Sequence, residues 1–267
     1  MKKFFAQAYV WILLLLLYSP LIFLLVFSFT ESRVLGNWTG FSVKLFANLF
    51  NGHLPGNEGL LAAVKNTLII ASTASLAATV LGTFAAIGIF NHKSSRFRRD
   101  MMMLNNIPMV NPDVITGVSL FLLFVFLRFS QGYLTVILAH ITFCTPYVVL
   151  SVMPKLAQIN PNIYEAALDL GATPLQAFRK VLVPQLIPGM ISGFILSFVM
   201  SLDDFAVTFF TRGTIGLDTL STFIYTDARK GGLTPELRPL MTLIFIGILL
   251  ILVLLNLHQS KQLKKEK

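Results

Sequence analysis

The sequence predicts an all-α integral membrane protein with six transmembrane helices and both termini in the cytoplasm (N-in/C-in). Of its 267 residues, 55% are apolar and 12% are charged, and that charged fraction is about half of the roughly 25% found in soluble domains. The mean hydropathy is +0.75. Six separate segments are apolar over the ~20 residues that a helix needs to cross a membrane. These observations exclude a soluble globular domain and predict a single transmembrane domain over 1–267.

The six predicted spans follow one another along the whole chain. They cover 8–29, 66–90, 101–127, 133–153, 186–210 and 239–257. The first span follows Lys2 and Lys3 and lacks a small-residue cleavage site, so it is predicted to stay attached rather than to act as a signal peptide. The third span contains Asp113 as its only charged residue, and the fifth contains only Asp203 and Asp204. The other four spans contain no Asp, Glu, Lys or Arg.

The distribution of basic residues predicts the orientation. The formal net charge is +9. Segments 1–7, 91–100, 154–185 and 258–267 hold 13 of the 21 Lys and Arg residues in 59 positions, whereas the other connecting segments hold 8 in 69. Cytoplasmic loops are enriched in Lys and Arg, so the more basic set is predicted to lie in the cytoplasm. Because this rule accounts for the basic charge, no nucleic-acid partner is predicted.

The sequence lacks the patterns of a catalytic or metal site. It contains no G-x-x-x-x-G-K-[ST] phosphate loop and no G-x-S-x-G nucleophile elbow. The four His residues lack metal-ligand spacing, and the single cysteine, Cys144, excludes a Cys-cluster metal site. We therefore predict no catalytic residue, no metal and no cofactor for this chain. The functional interpretations that remain are a transport pathway, a lid or a docking surface.

The long inner loop at 160–184 is predicted to form two short helices. Residues of the types that start or stop helices divide it; they are Asn160, Pro161, Gly171, Thr173, Pro174 and Pro184. Gly171 is expected to end the first helix in the left-handed conformation, and Pro184 to stop the second. Helical periodicity alone leaves two interpretations open, namely an amphipathic pair on the bilayer surface or a protein-docking surface.

This loop carries a recognisable motif. The motif consists of Glu165-Ala166-Ala167, then Gly171 after three residues, then Val181-Leu182-Val183-Pro184 after nine more. It resembles the "EAA" loop of ABC-importer permeases, whose form is E-A-A-x3-G-x9-I-x-L-P. Here Val replaces the Ile and the Leu of that form. The resemblance implies the type I ABC-importer permease fold, with 160–184 as a coupling loop. ATP-Mg would be bound, and ATP hydrolysed, by a separate ATPase subunit. The implied docking residues are Glu165, Ala166, Ala167, Asp169, Gly171 and Pro184.

Other segments are similar to the second permease subunit of spermidine/putrescine importers. They lie at 37–42, 140–147, 201–205, 224–225 and 232–236. The resemblance implies import of polyamines by alternating access across the bacterial cytoplasmic membrane. It also implies a second permease subunit, two ATPase subunits and an extracytoplasmic solute-binding protein. Three alternatives stay open: a permease for another small cationic or organic solute, a self-sufficient secondary transporter, and a membrane assembly protein without a pathway.

The adjacent carboxylates of the fifth span are the candidate pathway residues. An ionisable residue within a span costs about 2.5–3.5 kcal/mol on insertion scales. On one continuous helix Asp203 and Asp204 would point about 100° apart. Asp204 would then share a small, polar stripe with Ser201 and Ser197, and these residues, with Asp203, are the predicted pathway. The alternative is that the stripe, which includes Gly189-x3-Gly193, packs against another helix. Asp203 itself is expected to be buried or interfacial.

Two further polar residues allow two interpretations each. Asp113 follows Asn111 and Pro112, which predict a helix restart with Asn111 as its cap. The alternative is a broken helix that lines a cavity. His140 is expected to be a packing residue, with a substrate or gating role as the alternative.

Overall fold

The computed structural model describes residues 2–32, 36–51, 57–160, 162–214, 216–229, 234–235, 237–247 and 249–250. All regular structure in these ranges is helical. The helices are α1 Lys2–Phe27, α2 Lys44–Asn51, α3 Asn57–Asn91, α4 Ser95–Val110, α5 Asp113–Phe126, α6 Tyr133–Gln158, α7 Asn162–Asp169, α8 Pro174–Ala177, α9 Val183–Asp203, α10 Ala206–Thr211, α11 Leu220–Arg229 and α12 Leu237–Gly247. A five-residue π-helical turn, Phe178–Leu182, joins α8 to α9.

Four helical stretches in the described residues are long and apolar enough to cross a membrane. They are Tyr9–Phe27, Gly59–Asn91, Tyr133–Gln158 and Pro174–Asp203. A fifth exists if α4 and α5 form one broken span. The described part of the predicted sixth span is the shorter α12, and the rest of 239–257 lies outside the described residues apart from 249–250.

The chain groups into two compact units, 1–59 with 224–267, and 60–223. The single domain predicted for 1–267 stays a prediction, because helices of one membrane domain can also pack in groups. In the first unit, the Arg238 guanidinium donates to the Ser32 carbonyl oxygen at 2.7 Å. The loop after α1 is closed by Glu31, which accepts from the Ser42 hydroxyl and pairs with Lys44 at 3.2 Å. These two contacts hold the pKa of Glu31 below its ordinary value.

In the unit 60–223, α6 packs against both α3 and α9 through small residues. Gly82 of α3 and Gly193 of α9 both lie against Val148 of α6. Residues without bulky side chains allow helices in a membrane to approach closely. The buried core around this crossing consists of Ala78, Ala86, Phe124, Ala139, Phe143, Cys144, Val148, Val149, Val152, Leu156, Leu186 and Val207.

Gly82→Ala is expected to destabilise this unit. A Cβ at position 82 would lie 2.7 Å from Val148 Cβ and 3.1 Å from the Thr145 carbonyl oxygen. Overpacking of this kind costs about 1–3 kcal/mol. Gly88→Ala, six residues along the same helix, is the matched control, because no atom of the described residues lies within 4 Å of its Cβ position. Thermal unfolding of the full chain in detergent should show a lower midpoint for Gly82→Ala only; equal midpoints would contradict this packing.

The predicted third span is broken between α4 and α5. The two helices differ in direction by 104°. Asn111 terminates α4 and donates its side-chain amide to the Thr116 hydroxyl at 3.2 Å. Pro112 precedes α5 with extended backbone, and Asp113 lies in the first turn as the sequence predicts. The restart therefore begins one residue later than predicted, because Asn111 caps the end of α4 and not the start of α5.

The predicted fifth span is also broken, which corrects the assumption of a continuous helix over 186–210. Helix α9 ends at Asp203, Asp204 has extended backbone (φ −63°, ψ 130°), and α10 starts at Ala206. The Asp204 carboxylate accepts the backbone N–H groups of Val207 and Thr208. An aspartate that captures these groups offers the backbone an alternative to continuing the helix.

Candidate functional site

The two helix breaks meet at one cavity of about 350 Å³. Asp113 reaches it from the start of α5, and Asp203 and Asp204 from the end of α9. Its apolar walls include Phe143 of α6 and Met200 of α9. Sequence reasoning missed Phe143 and Met200, because both lie within apolar runs that predict only lipid contact or core. The cavity thus combines three carboxylates with an apolar lining.

Asp204 is held by hydrogen bonds on the buried side of this cavity. Its side chain is 5% exposed. Oδ1 accepts from the Val207 N–H at 3.1 Å, and Oδ2 accepts from the Thr208 N–H and hydroxyl, each at 2.8 Å. His140 Nε2 lies 3.4 Å from Oδ2. The carboxylate therefore caps α10 and fixes the break in the chain.

His140 is fully buried and both of its ring nitrogens have partners. Nδ1 lies 2.6 Å from the Ser201 hydroxyl, and Nε2 lies 2.9 Å from the Thr208 hydroxyl. The Phe143 ring meets the imidazole edge to face, with centroids 5.1 Å apart. These contacts are those of a packing residue that ties α6 to α9 and α10. A gating role stays a prediction.

The small, polar stripe of α9 faces α6. The Ser197 hydroxyl donates to the Cys144 carbonyl oxygen at 3.3 Å, and Ser201 contacts His140. Gly193 lies against Val148. Both serines are buried and neither lines the carboxylate cavity. Within this chain the stripe is a helix–helix interface, which is the packing alternative.

The two adjacent aspartates both line the cavity but differ in burial. Asp203 is exposed at the cavity, although it was expected to be buried or interfacial. Asp204, the predicted pathway carboxylate, lines the same cavity with a largely buried and hydrogen-bonded side chain, and its role in the pathway stays a prediction. The reason is the break itself, because a residue with extended backbone no longer follows the 100° step of a helix.

The loop 160–184 exposes part of its motif. Glu165, Ala166 and Asp169 of α7 are exposed, and Ala167 is half-buried. Gly171 has φ +85°, the left-handed conformation that was predicted. The Thr173 hydroxyl accepts from the Gln176 N–H, and the Gln176 side chain accepts from the Thr173 N–H, so α8 begins with a capping box.

Pro184 does not stop the second short helix, contrary to the sequence prediction. The chain continues from α8 through the π-helical turn into α9, with Pro184 in the first turn of α9. A proline removes one N–H and its ring clashes with the carbonyl four residues earlier. The turn widens instead, and the Val183 N–H reaches the Phe178 carbonyl five residues back. This widening carries the helix past the proline.

Comparisons with known proteins agree with this architecture. A family model described as "Binding-protein-dependent transport system inner membrane component" matches residues 78–260. The chain is 38% identical over 240 residues to the putrescine transport system permease protein PotI of Escherichia coli (strain K12), covering 87% of this chain and 83% of that protein. It is 34% identical over 262 residues to the spermidine/putrescine transport system permease protein PotC of Haemophilus influenzae, covering 98% and 99%.

Solved structures show the same fold at low sequence identity. A bacterial ABC transporter involved in the import of the acidic polysaccharide alginate matches with a TM-score of 0.69 and 13% identity, over 97% of this chain and 95% of that chain. The MetNI methionine ABC transporter in an inward-facing conformation matches with a TM-score of 0.59 and 21% identity, over 76% and 94%. Together with the family match, these findings place the chain in the family of binding-protein-dependent transport system inner membrane components.

Proposed function

We propose that this chain is a permease subunit of an ATP-driven importer that moves polyamines, such as spermidine and putrescine, into the cytoplasm by alternating access. The observation that carries the proposal is the cavity lined by Asp113, Asp203 and Asp204. Carboxylates form short, charge-assisted hydrogen bonds with ammonium groups. The relatives PotI and PotC, named for putrescine and for spermidine/putrescine transport, support the same class of solute.

Asp203 and Asp113 are the solute-contacting carboxylates in this proposal. Both are exposed and both line the cavity. Irregular backbone at membrane depth is tolerated only where it is buried in protein or lines a cavity, and both aspartates lie at such breaks. Phe143 and Phe205 on the cavity wall supply aromatic faces for the alkyl chain and the ammonium groups of a polyamine. Asp204 acts indirectly, by fixing the break that presents Asp203, and Ser197 and Ser201 hold α9 against α6.

In the assembled importer the chain hydrolyses nothing itself. Two separate ATPase subunits bind ATP-Mg and dock on the loop 160–184, which exposes Glu165, Ala166 and Asp169. A second permease subunit completes the pathway, and an extracytoplasmic solute-binding protein delivers the solute. The complex lies in the bacterial cytoplasmic membrane. A permease for another small cationic or organic solute is the alternative that the carboxylate cavity leaves open.

Copurification tests the assembly. The tagged chain is extracted in mild detergent from cells that also express its partner subunits. We expect an ATPase subunit and a second permease to copurify with it. The double variant Glu165→Ala and Asp169→Ala is expected to lose the bound ATPase. It should keep the second permease attached. If the intact chain binds no ATPase and still transports solute, it is a self-sufficient secondary transporter.

The six-span, N-in/C-in topology with a cytoplasmic coupling loop is part of the same proposal. In a Cys144→Ala background, Ser94→Cys and Gly56→Cys should react with a membrane-impermeant maleimide from opposite sides. Ser94 caps α4 within the basic segment, so its cysteine should react only after the cytoplasmic side is opened. Labelling of both cysteines from one side in intact cells would contradict the topology.

A further inference from the structure

The helix break at Asp204 changes the partner of one backbone N–H group. In a continuous helix the Thr208 N–H would donate to the carbonyl oxygen four residues earlier, which belongs to Asp204. Here the Thr208 N–H donates to the Asp204 carboxylate Oδ2 at 2.8 Å. The carboxylate thus takes the donor that the Asp204 carbonyl oxygen would accept in a helix, and this carbonyl oxygen needs a different donor.

Ser221 supplies that donor from a distant part of the chain. It lies in the first turn of α11, and its hydroxyl donates to the Asp204 carbonyl oxygen at 2.6 Å. A part-buried carbonyl oxygen that loses its donor costs free energy. The carboxylate therefore binds the N–H groups at the start of α10, and Ser221 binds the carbonyl oxygen that the break releases.

The start of α11 is fixed against α3 by two hydrogen bonds. The Leu220 N–H donates to the Thr67 hydroxyl at 2.7 Å. The Asn66 side-chain amide donates to the Asp218 carbonyl oxygen at 2.9 Å. All of these residues lie in the unit 60–223. Contacts with α3 therefore set the position of Ser221 independently of the break.

We propose that Ser221 is a positioning residue of the carboxylate cavity and acts through Asp204. Its hydroxyl stabilises the broken conformation, in which Asp203 is exposed at the cavity. Without this hydroxyl, the Asp204 carbonyl oxygen competes with the carboxylate for the Thr208 N–H, and this competition favours a continuous helix. The consequence for transport rests on the proposed function, whereas the stabilisation of the break does not.

The rate of thiol labelling at position 203 tests this role without any solute. Asp203→Cys in a Cys144→Ala background places one thiol at the cavity of the full-length chain in detergent, and a cationic methanethiosulfonate is the probe. Ser221→Ala should lower the labelling rate about threefold, which is the effect of losing one hydrogen bond. Ser221→Thr keeps the hydroxyl and should restore the rate.

Two controls separate this role from a general loss of stability. Ser192 is exposed on α9, and its hydroxyl donates to the Pro188 carbonyl oxygen of the same helix at 2.9 Å. Ser192→Ala should therefore leave the labelling rate unchanged. In an Asp204→Ala background no carboxylate captures the Thr208 N–H, so Ser221→Ala should change the rate by less than about 1.5-fold.

Uptake of labelled putrescine by the reconstituted importer is the second readout. Uptake per assembled complex should fall in Ser221→Ala and recover in Ser221→Thr. The expected labelling rates without uptake by the unmodified complex would support the role of Ser221 and contradict the proposed function. Three labelling results would overturn the role: an unchanged rate in Ser221→Ala, no recovery in Ser221→Thr, or an equal fall in Ser192→Ala. An undiminished effect of Ser221→Ala in the Asp204→Ala background would also overturn it.

Discussion

Asp203→Asn is expected to reduce polyamine uptake strongly while leaving the fold and the assembly intact. The substitution removes one negative charge from the cavity but nearly preserves volume, and the Asp203 side chain is exposed there. Because Coulomb attraction scales with the product of charges, uptake of spermidine should fall more than uptake of putrescine, which carries less charge. A loss of about tenfold or more for spermidine corresponds to about 1.4 kcal/mol of lost interaction.

Asp204→Asn is the matched control for this experiment. An asparagine can still cap α10, because Asn and Asp are nearly equal at this position. Its amide cannot serve Val207, Thr208 and His140 as the carboxylate does, so the expected effect is a modest loss of stability with uptake per assembled complex reduced less than in Asp203→Asn. A transport defect confined to Asp204→Asn, or equal loss for spermidine and putrescine in Asp203→Asn, would contradict the assignment.

Gly171→Val is expected to abolish coupling without unfolding the spans. Gly171 has φ +85°, and a β-branched residue in the left-handed region is strained by about 1–2 kcal/mol. The strain acts on the turn between α7 and α8, which is closed by the Gly171 N–H to the Leu168 carbonyl at 2.9 Å. In the part of the chain that the structure describes, no atom lies within 4 Å of the Cβ position, so the expected defect comes from the backbone and not from a steric clash.

The measurement for Gly171→Val is ATPase retention during copurification together with solute-stimulated ATP hydrolysis. Both should fall to near background, while expression and membrane insertion match the unmodified chain. Gly171→Asn is the conservative variant, because asparagine tolerates the left-handed region better than valine does, and it should retain much of the coupling. Normal ATPase binding and normal transport in Gly171→Val would refute the docking role of this loop.

Local backbone chemistry explains which features the sequence could predict. Gly171 and the Thr173–Gln176 capping box follow from residue preferences that act within one turn, and both are present. The break before Asp113 is likewise encoded by Pro112, whose fixed φ and missing N–H act locally. In each case the decisive atoms lie within four residues of one another.

The features that the sequence could not predict had more than one possible local outcome or depended on a contact between helices. Asp204 lies in an apolar run without Gly or Pro, so helical periodicity continues through it. The break at Asp204 is stabilised by the Val207 and Thr208 N–H groups, which are local, and by His140, which belongs to a different helix. Pro184 is accommodated by a widened turn, which is one of several responses to a proline. The exposure of Asp203 depends on the helix break at Asp204.

ATP-driven uptake by the reconstituted complex tests whether this chain is the permease of a polyamine importer. Proteoliposomes containing this chain, its second permease and the ATPase subunits would receive the solute-binding protein with labelled spermidine or putrescine on the outside and ATP-Mg on the ATPase side. Uptake is expected to require both ATP and the binding protein, and unlabelled polyamines are expected to compete while neutral or anionic solutes are not. Uptake that proceeds without ATP would contradict the proposed function. So would an active complex that carries a non-cationic solute and transports neither polyamine.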